Sequence, residues 1–235
     1  MGLLEWGREK LGWGPSGPEV PIPELRFTVL DTELTGLDER RDDIVSIGAL
    51  HMQGSRIELG HAFQELVNPK AVLDGRTVVI HGITPSQLEA MPPIEGILAA
   101  FMEYTAGTVL VGHCLVLDLA FLNRDARRLK IAPLRNAAID TLSLYCWLRQ
   151  RSADHPAFSL DLSGLSLFDL AAAFEIPVEK AHTALGDAFV TAQLFQRLLP
   201  FLNQAGVRDL ASLRRVGNPA SQLANLTAPA GHAHF

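Results

Sequence analysis

The sequence predicts an α/β fold: one mixed sheet, an antiparallel meander followed by parallel strands, flanked by helices. Two patterns carry this. Arg26 to Asp31, Ile44 to Met52 and Arg56 to Val67 are consecutive segments rich in β-branched or aromatic residues, separated by the turn residues Gly36, Asp42 and Gly54. Beyond them, strand and helix patterns alternate, which implies parallel strands joined by crossovers. Length and composition agree: 235 residues with 48% hydrophobic and 20% charged side chains suit one domain with a sizeable core.

Residues 1–24 contain several Pro and Gly and two Trp, and read as an N-terminal extension. Residues 25–205 form the expected domain. Thr84-Pro85-Ser86-Gln87 signals a helix start, with an N-cap Thr, Pro at the first helical position and Gln three residues after the cap. Ile94, Ile97, Leu98, Phe101 and Tyr104 recur at helical spacing, and Gly107 ends that helix. Val109 to Gly112 is a short buried strand, followed by a helix from about Asp118 to Lys130. Ala137 to Asp140 is a further strand, with a helix from Thr141 to Arg151. Ser166 and Asp169 cap a helix running to Phe174, and the last long helix covers about Ala184 to Leu199. Residues 206–235 are expected to hold a short helix and a flexible tail, uncharged from Val216 onward.

Composition removes several functions. A net charge of −6 argues against a protein that coats duplex DNA by broad phosphate neutralisation. It leaves room for local grip on one strand end through bound cations. Cys114 and Cys146 form no zinc spacing and read as buried thiols in a reducing compartment. There is no GxxxxGK[ST], so a phosphate-cradling loop of that kind is unsupported. The N-terminus carries charges too early for a signal peptide, and the uncharged stretch Tyr104 to Leu117 is too short to span a bilayer. A soluble, cytoplasmic protein with no membrane contact is expected.

The chemistry lies in the acidic clusters. Asp31 and Glu33 sit two apart at the end of the first strand and therefore project to one face. Such a pair of like charges is unfavourable unless cations sit between them, and hard divalent ions prefer oxygen ligands. Alone, the pair reads as solvated turn carboxylates. Asp118 follows an apolar strand and opens a helix, where a carboxylate also suits the helix dipole. His182 precedes Asp187 by five residues, about 500° of helical rotation, so both reach one site only if His182 lies in the turn before the helix. Alone, His182 reads as a surface loop histidine.

The ordered set resembles the DnaQ-like 3′–5′ exonucleases of the DEDD superfamily, in the subgroup whose third motif carries His. Val29 to Gly36 resembles the first motif, Val111-Gly112-His113 through Asp118 to Leu122 the second, and His182 to Ala188 the third. Asp43 to Ala49, His81-Gly82-Ile83-Thr84 and Asp140-Thr141-Leu142 agree as landmarks. The resemblance implies a ribonuclease H-like fold. It also implies two divalent cations, Mg²⁺ or Mn²⁺, held by Asp31, Glu33, Asp118 and Asp187, with His182 as general base. It places Thr32, Leu34, His81 and His113 near the terminal nucleotide. Three positions depart from the pattern: Cys114 where Asn is common, Leu117 where an aromatic residue often precedes the Asp, and Leu34 in place of a common Thr. None of these removes a ligand.

The expected activity is removal of nucleoside monophosphates from the 3′ ends of single-stranded or mismatched DNA, as in the proofreading subunits of bacterial replicative polymerases. RNA trimming is the alternative, because discrimination by the 2′-hydroxyl depends on pocket geometry. A non-catalytic polymerase-binding scaffold is the reading from another class, and the presence of all five site residues argues against it. Among weaker signals, Arg124, Arg127, Arg128, Lys130 and Arg135 read as a solvated helix face. Ser221 to Leu226 faintly resembles sliding-clamp-binding peptides, which suggests a polymerase or sliding-clamp contact, and His232 and His234 read as tail residues.

Overall fold

A computed structural model describes residues 20–73, 75–152, 154–160, 165–179 and 181–222. Five strands form one sheet: β1 (Arg26–Leu34), β2 (Ile44–Gln53), β3 (Arg56–Leu66), β4 (Val109–Gly112) and β5 (Ala138–Asp140). Their order is β3-β2-β1-β4-β5. The pairs β1–β2 and β2–β3 are antiparallel, while β4 runs parallel to both β1 and β5. The mixed sheet expected from the sequence is therefore present. Gly54, with φ of 56°, makes the tight turn from β2 into β3, in a left-handed conformation that glycine adopts without steric cost.

The helices are α1 (Gly75–His81), α2 (Pro85–Leu88), α3 (Ile94–Tyr104), α4 (Val116–Arg128), α5 (Thr141–Arg149), α6 (Leu167–Ala173), α7 (Ala184–Gln204) and α8 (Leu210–Val216). Side chains of β1 alternate between two cores. Phe27 and Val29 enter the core shared with Leu50, Met52, Tyr145, Leu170 and Phe195, on the side of α5, α6 and α7. Leu30 enters the other core, with Ile47, Leu98, Phe101, Leu119 and Leu122, on the side of α3 and α4. This period of two continues past the last apolar residue and decides where each site residue points.

The structure departs from expectation in three places. The sequence signals no element between Val67 and Thr84, yet α1 forms there; its Val78-Val79-Ile80 run is β-branched and carries no helical periodicity. Helix α7 continues beyond Leu199 through Pro200 to Gln204. Pro200 faces solvent while Leu198 and Leu202 are fully buried, so packing on both sides of the proline carries the helix past it. Arg124 is not part of a solvated face. Its guanidinium donates to the carbonyls of Glu39 and Asp42 and to the carboxylates of Asp43 and Asp125, tying the β1–β2 connection to α4.

The Val20 carbonyl accepts from the Leu210 amide, and the Ile22 amide donates to the Arg208 carbonyl, so residues 20–22 lie against the start of α8. Most of the segment that resembles a clamp-binding peptide, with His232 and His234, lies outside the described residues, as do residues 1–19.

Candidate active site

Asp31 and Glu33 follow Phe27 and Val29 in strand parity and project on the α7 side of the sheet. In the β1–β2 register Asp31 lies opposite Gly48 and Glu33 opposite Ser46. Gly48 lacks a side chain where one would be blocked: a Cβ there would lie 2.5 Å from the Ala184 carbonyl oxygen and still closer to the Leu185 amide. The first turn of α7 therefore rests directly on β2. Thr183 caps this helix, its hydroxyl accepting from the Gly186 amide at 3.3 Å. Asp187, one turn in, is lowered onto the strand carboxylates. Asp31, Glu33 and Asp187 each offer an oxygen, and these oxygens lie within 4.8 Å of one another.

Asp118 reaches the site from the other face. Thr32 has the parity of Leu30 and faces α4, and its hydroxyl donates to Asp118 Oδ1 at 2.6 Å. Asp118 stands in the first turn of α4, so carboxylates from both layers meet at the carboxyl end of the central strand β1. Asp118 lies outside the three-oxygen cluster but close enough for its charge to act on Asp31 and Glu33.

The electrostatics record this crowding. Burial, then Asp118, Glu33 and Asp187 in turn, push the Asp31 carboxyl well above the usual carboxylate range. Burial and the charges of Asp187 and Asp118 push Glu33 up to about 7. Burial raises Asp118 to about 7 against the opposing hydrogen bonds from Thr32. It raises Asp187 to about 7 against the bond from the His182 amide. A set of converging carboxylate oxygens that disfavours its own ionisation fits a hard divalent cation, which relieves the repulsion.

The histidines differ in kind. His182 has φ of 60°, and its amide donates to Asp187 Oδ1 at 3.1 Å, so the turn before α7 brings His182 to the cluster as its spacing required. His81, at the end of α1, is buried; its Nδ1 accepts from the Ile83 amide at 3.0 Å, while Nε2 has no hydrogen-bond partner among the described residues. Burial, then the nearby His182, lower its pKa. Neutral His81 with Nδ1 accepting thus carries an unspent Nε2–H donor. His113 is engaged internally, Nδ1 lying 3.0 Å from Thr141 Oγ1 and Nε2 3.3 Å from the Leu165 carbonyl. Burial pushes its pKa down to about 4. Leu34 is half-buried at the bulge that ends the β1–β2 pairing and packs against the α3–α4 core.

Two residues escaped the sequence reading as parts of the site's frame. Gly48 lies within the landmark segment Asp43 to Ala49, but nothing in the sequence marks it as the seat of α7. Asp140, one of the landmark residues, is fully buried at the end of β5 and caps α5 by accepting from the Leu142 amide at 2.8 Å. Its Oδ2 has no partner among the described residues, and burial raises its pKa to about 7.

Residues 28–195 match the family described as RNase_T exonuclease. A DNA polymerase III subunit epsilon-like protein of Rhodobacter capsulatus is 36% identical over 197 residues, covering 83% of this chain and 27% of the relative. A PolC-type DNA polymerase III of Caldanaerobacter subterraneus is 32% identical over 193 residues, 82% of this chain and 13% of the relative. The chain thus spans only a small part of these two proteins. It spans 89% of the DNA polymerase III subunit epsilon of Aquifex aeolicus, at 29% identity over 191 residues and 81% of this chain. E. coli exonuclease I, solved with a dT13 oligonucleotide, superposes with a TM-score of 0.67 at 18% identity, over 77% of this chain and 42% of that one, and shares the fold. On the extent of the family match and these identities, the chain belongs to the RNase_T exonuclease family.

Proposed function

We propose that this chain is a metal-dependent 3′–5′ exonuclease that removes nucleoside 5′-monophosphates from single-stranded or mismatched DNA ends. One observation carries the reading: Asp31, Glu33 and Asp187 converge from β1 and α7, with Asp118 beside them from α4 and His182 at the rim. Two Mg²⁺ or Mn²⁺ ions held by these four carboxylates would supply an activated water and charge stabilisation for the leaving 3′ oxygen. His182 takes the proton of the attacking water, its backbone fixed by the bond from its amide to Asp187. Thr32 donates to Asp118 Oδ1 and so fixes the orientation of the carboxylate that would help to hold the metal.

We assign contacts with the terminal nucleotide to Leu34 and to the spare Nε2–H of His81. Thr32 and His113, whose polar atoms are engaged within the protein, act by holding the walls of the site. The exposed Val79 and Ile80 beside His81 give unstacked terminal bases an apolar surface. A paired terminus must first be opened, at a cost of a few kcal/mol that is least at a mismatch. This supports a preference for free or mispaired ends.

The replicative relatives support DNA over RNA as the substrate and association with a polymerase in the cytoplasm, while a sliding-clamp contact rests on the resemblance of Ser221 to Leu226 alone. Among the described residues no helix is long and apolar enough to cross a membrane. The test compares 3′- and 5′-labelled DNA and RNA oligonucleotides, single-stranded, matched and mismatched, with Mn²⁺ or EDTA. Metal-dependent release from the 3′ end, faster on single-stranded and mismatched DNA, is expected. Cleavage from the 5′ end, full activity in EDTA, or faster turnover of RNA overturns the corresponding part.

A further inference from the structure

We infer that Phe168 is the positioning residue for the His182 imidazole, a role that rests on the reading of His182 as general base. A catalytic base is ordinarily oriented by a third, hydrogen-bonding group. Here, among the described residues, neither ring nitrogen of His182 has a hydrogen-bond partner; only its amide is bonded, to Asp187. The side chain meets an aromatic ring instead. The Phe168 and His182 rings lie 4.9 Å apart, centroid to centroid, inclined at 75° in an edge-on arrangement.

The platform behind Phe168 is firm. Helix α6 opens with a reciprocal capping box: the Ser166 hydroxyl accepts from the Asp169 amide, and the Asp169 carboxylate accepts from the Ser166 amide. Leu167 and Leu170, on either side of Phe168, are buried in the core shared with α7. One residue before the cap, the Leu165 carbonyl holds His113. The start of α6 therefore fixes two histidines of the site by different means, one by a polar bond and one by ring packing. The left-handed backbone at His182 sets where its Cα stands but leaves the ring free to rotate about its side-chain bonds. Phe168 removes that freedom on one side and leaves both nitrogens available for water.

The test uses the full chain with Phe168→Leu, which keeps apolar bulk on α6, beside Phe168→Ala and Phe168→Tyr. Circular dichroism and melting verify folding, and Phe168→Leu carries the test if the Ala variant fails to fold. Loss of an aromatic pair should lower kcat by about tenfold, with KM and Mn²⁺ affinity little changed. Phe168→Tyr should restore kcat. In a His182→Ala background, Phe168→Leu should have no further effect on kcat. Independently of activity, the His182 ring proton resonances should shift in Phe168→Leu as the ring current is lost. Wild-type kcat in Phe168→Leu, an undiminished effect in the His182→Ala background, or unmoved ring resonances overturn the assignment. If the wild type cuts no oligonucleotide, the exonuclease reading fails, and the ring resonances alone decide whether Phe168 holds His182.

Discussion

Gly48 lies directly beneath the Ala184–Leu185 peptide, with no room for a methyl group between β2 and the first turn of α7. Because Gly48 is also the register partner of Asp31, this one absent side chain sets the spacing between the strand carboxylates and Asp187. Gly48→Ala should force the helix outward. Overpacking of this kind costs about 1–3 kcal/mol, or roughly 5 °C in melting temperature for a domain of this size. Turnover should fall much further than stability, since Asp187 moves with the helix. Thermal melting and oligonucleotide hydrolysis, measured on the same preparation, check this; unchanged turnover would show that the close approach does not set the site.

Asp187→Asn should abolish turnover while the metal-free protein melts higher than wild type. Removing one charge relieves the repulsion that raises Glu33 and Asp31, and it weakens cation binding. Asp31→Asn should behave in the same way. Calorimetric titration with Mn²⁺ and melting with and without metal are the measurements.

Stability should depend on pH with a definite sign. Glu33, Asp118 and Asp187 stand at about 7 in the folded protein, and Asp31 is raised as well, whereas an unfolded chain titrates near pH 4. Between those limits the folded, metal-free protein binds more protons than the unfolded chain. Stability is therefore fully present below about pH 4 and is lost as pH rises toward 7, as far as these groups are concerned. The stabilisation conferred by Mn²⁺ should grow over the same window, because the cation replaces the protons. Melting curves from pH 5 to 8, with EDTA and with Mn²⁺, would reveal this; parallel curves would contradict it.

His182→Ala should keep oligonucleotide and metal binding but slow hydrolysis by about 10²–10⁴-fold, the usual contribution of a general base. The measurement is single-turnover rate against binding affinity, taken separately.

The fold and the acidic cluster were legible because both follow from short-range rules. The alternation along β1 carries Phe27 and Val29 into one core and, two steps on, turns Asp31 and Glu33 the same way. The five-residue gap between His182 and Asp187 required a turn before α7, and the left-handed backbone at His182 supplies one. What was not legible depends on partners far apart in the chain. Nothing in the sequence pairs Phe168 with His182 or sets Gly48 against Leu185. Arg124 reads as an ordinary surface cation until the β1–β2 connection folds over it. Helix α1 is hidden by β-branched residues whose local preference opposes the structure that forms, and Pro200 conceals the last turn of α7 because only packing overrides it.

The carboxylates that converge here come from opposite ends of the chain: Asp31 belongs to the first strand and Asp187 to the last long helix, 156 residues later. A growing polypeptide on the ribosome therefore carries Asp31, Glu33 and even Asp118 without their final companion until nearly the whole body has been synthesised. The carboxylate cluster is complete only when α7 seats against Gly48. Assembly of the cluster is thus tied to the order in which these segments of the body are made.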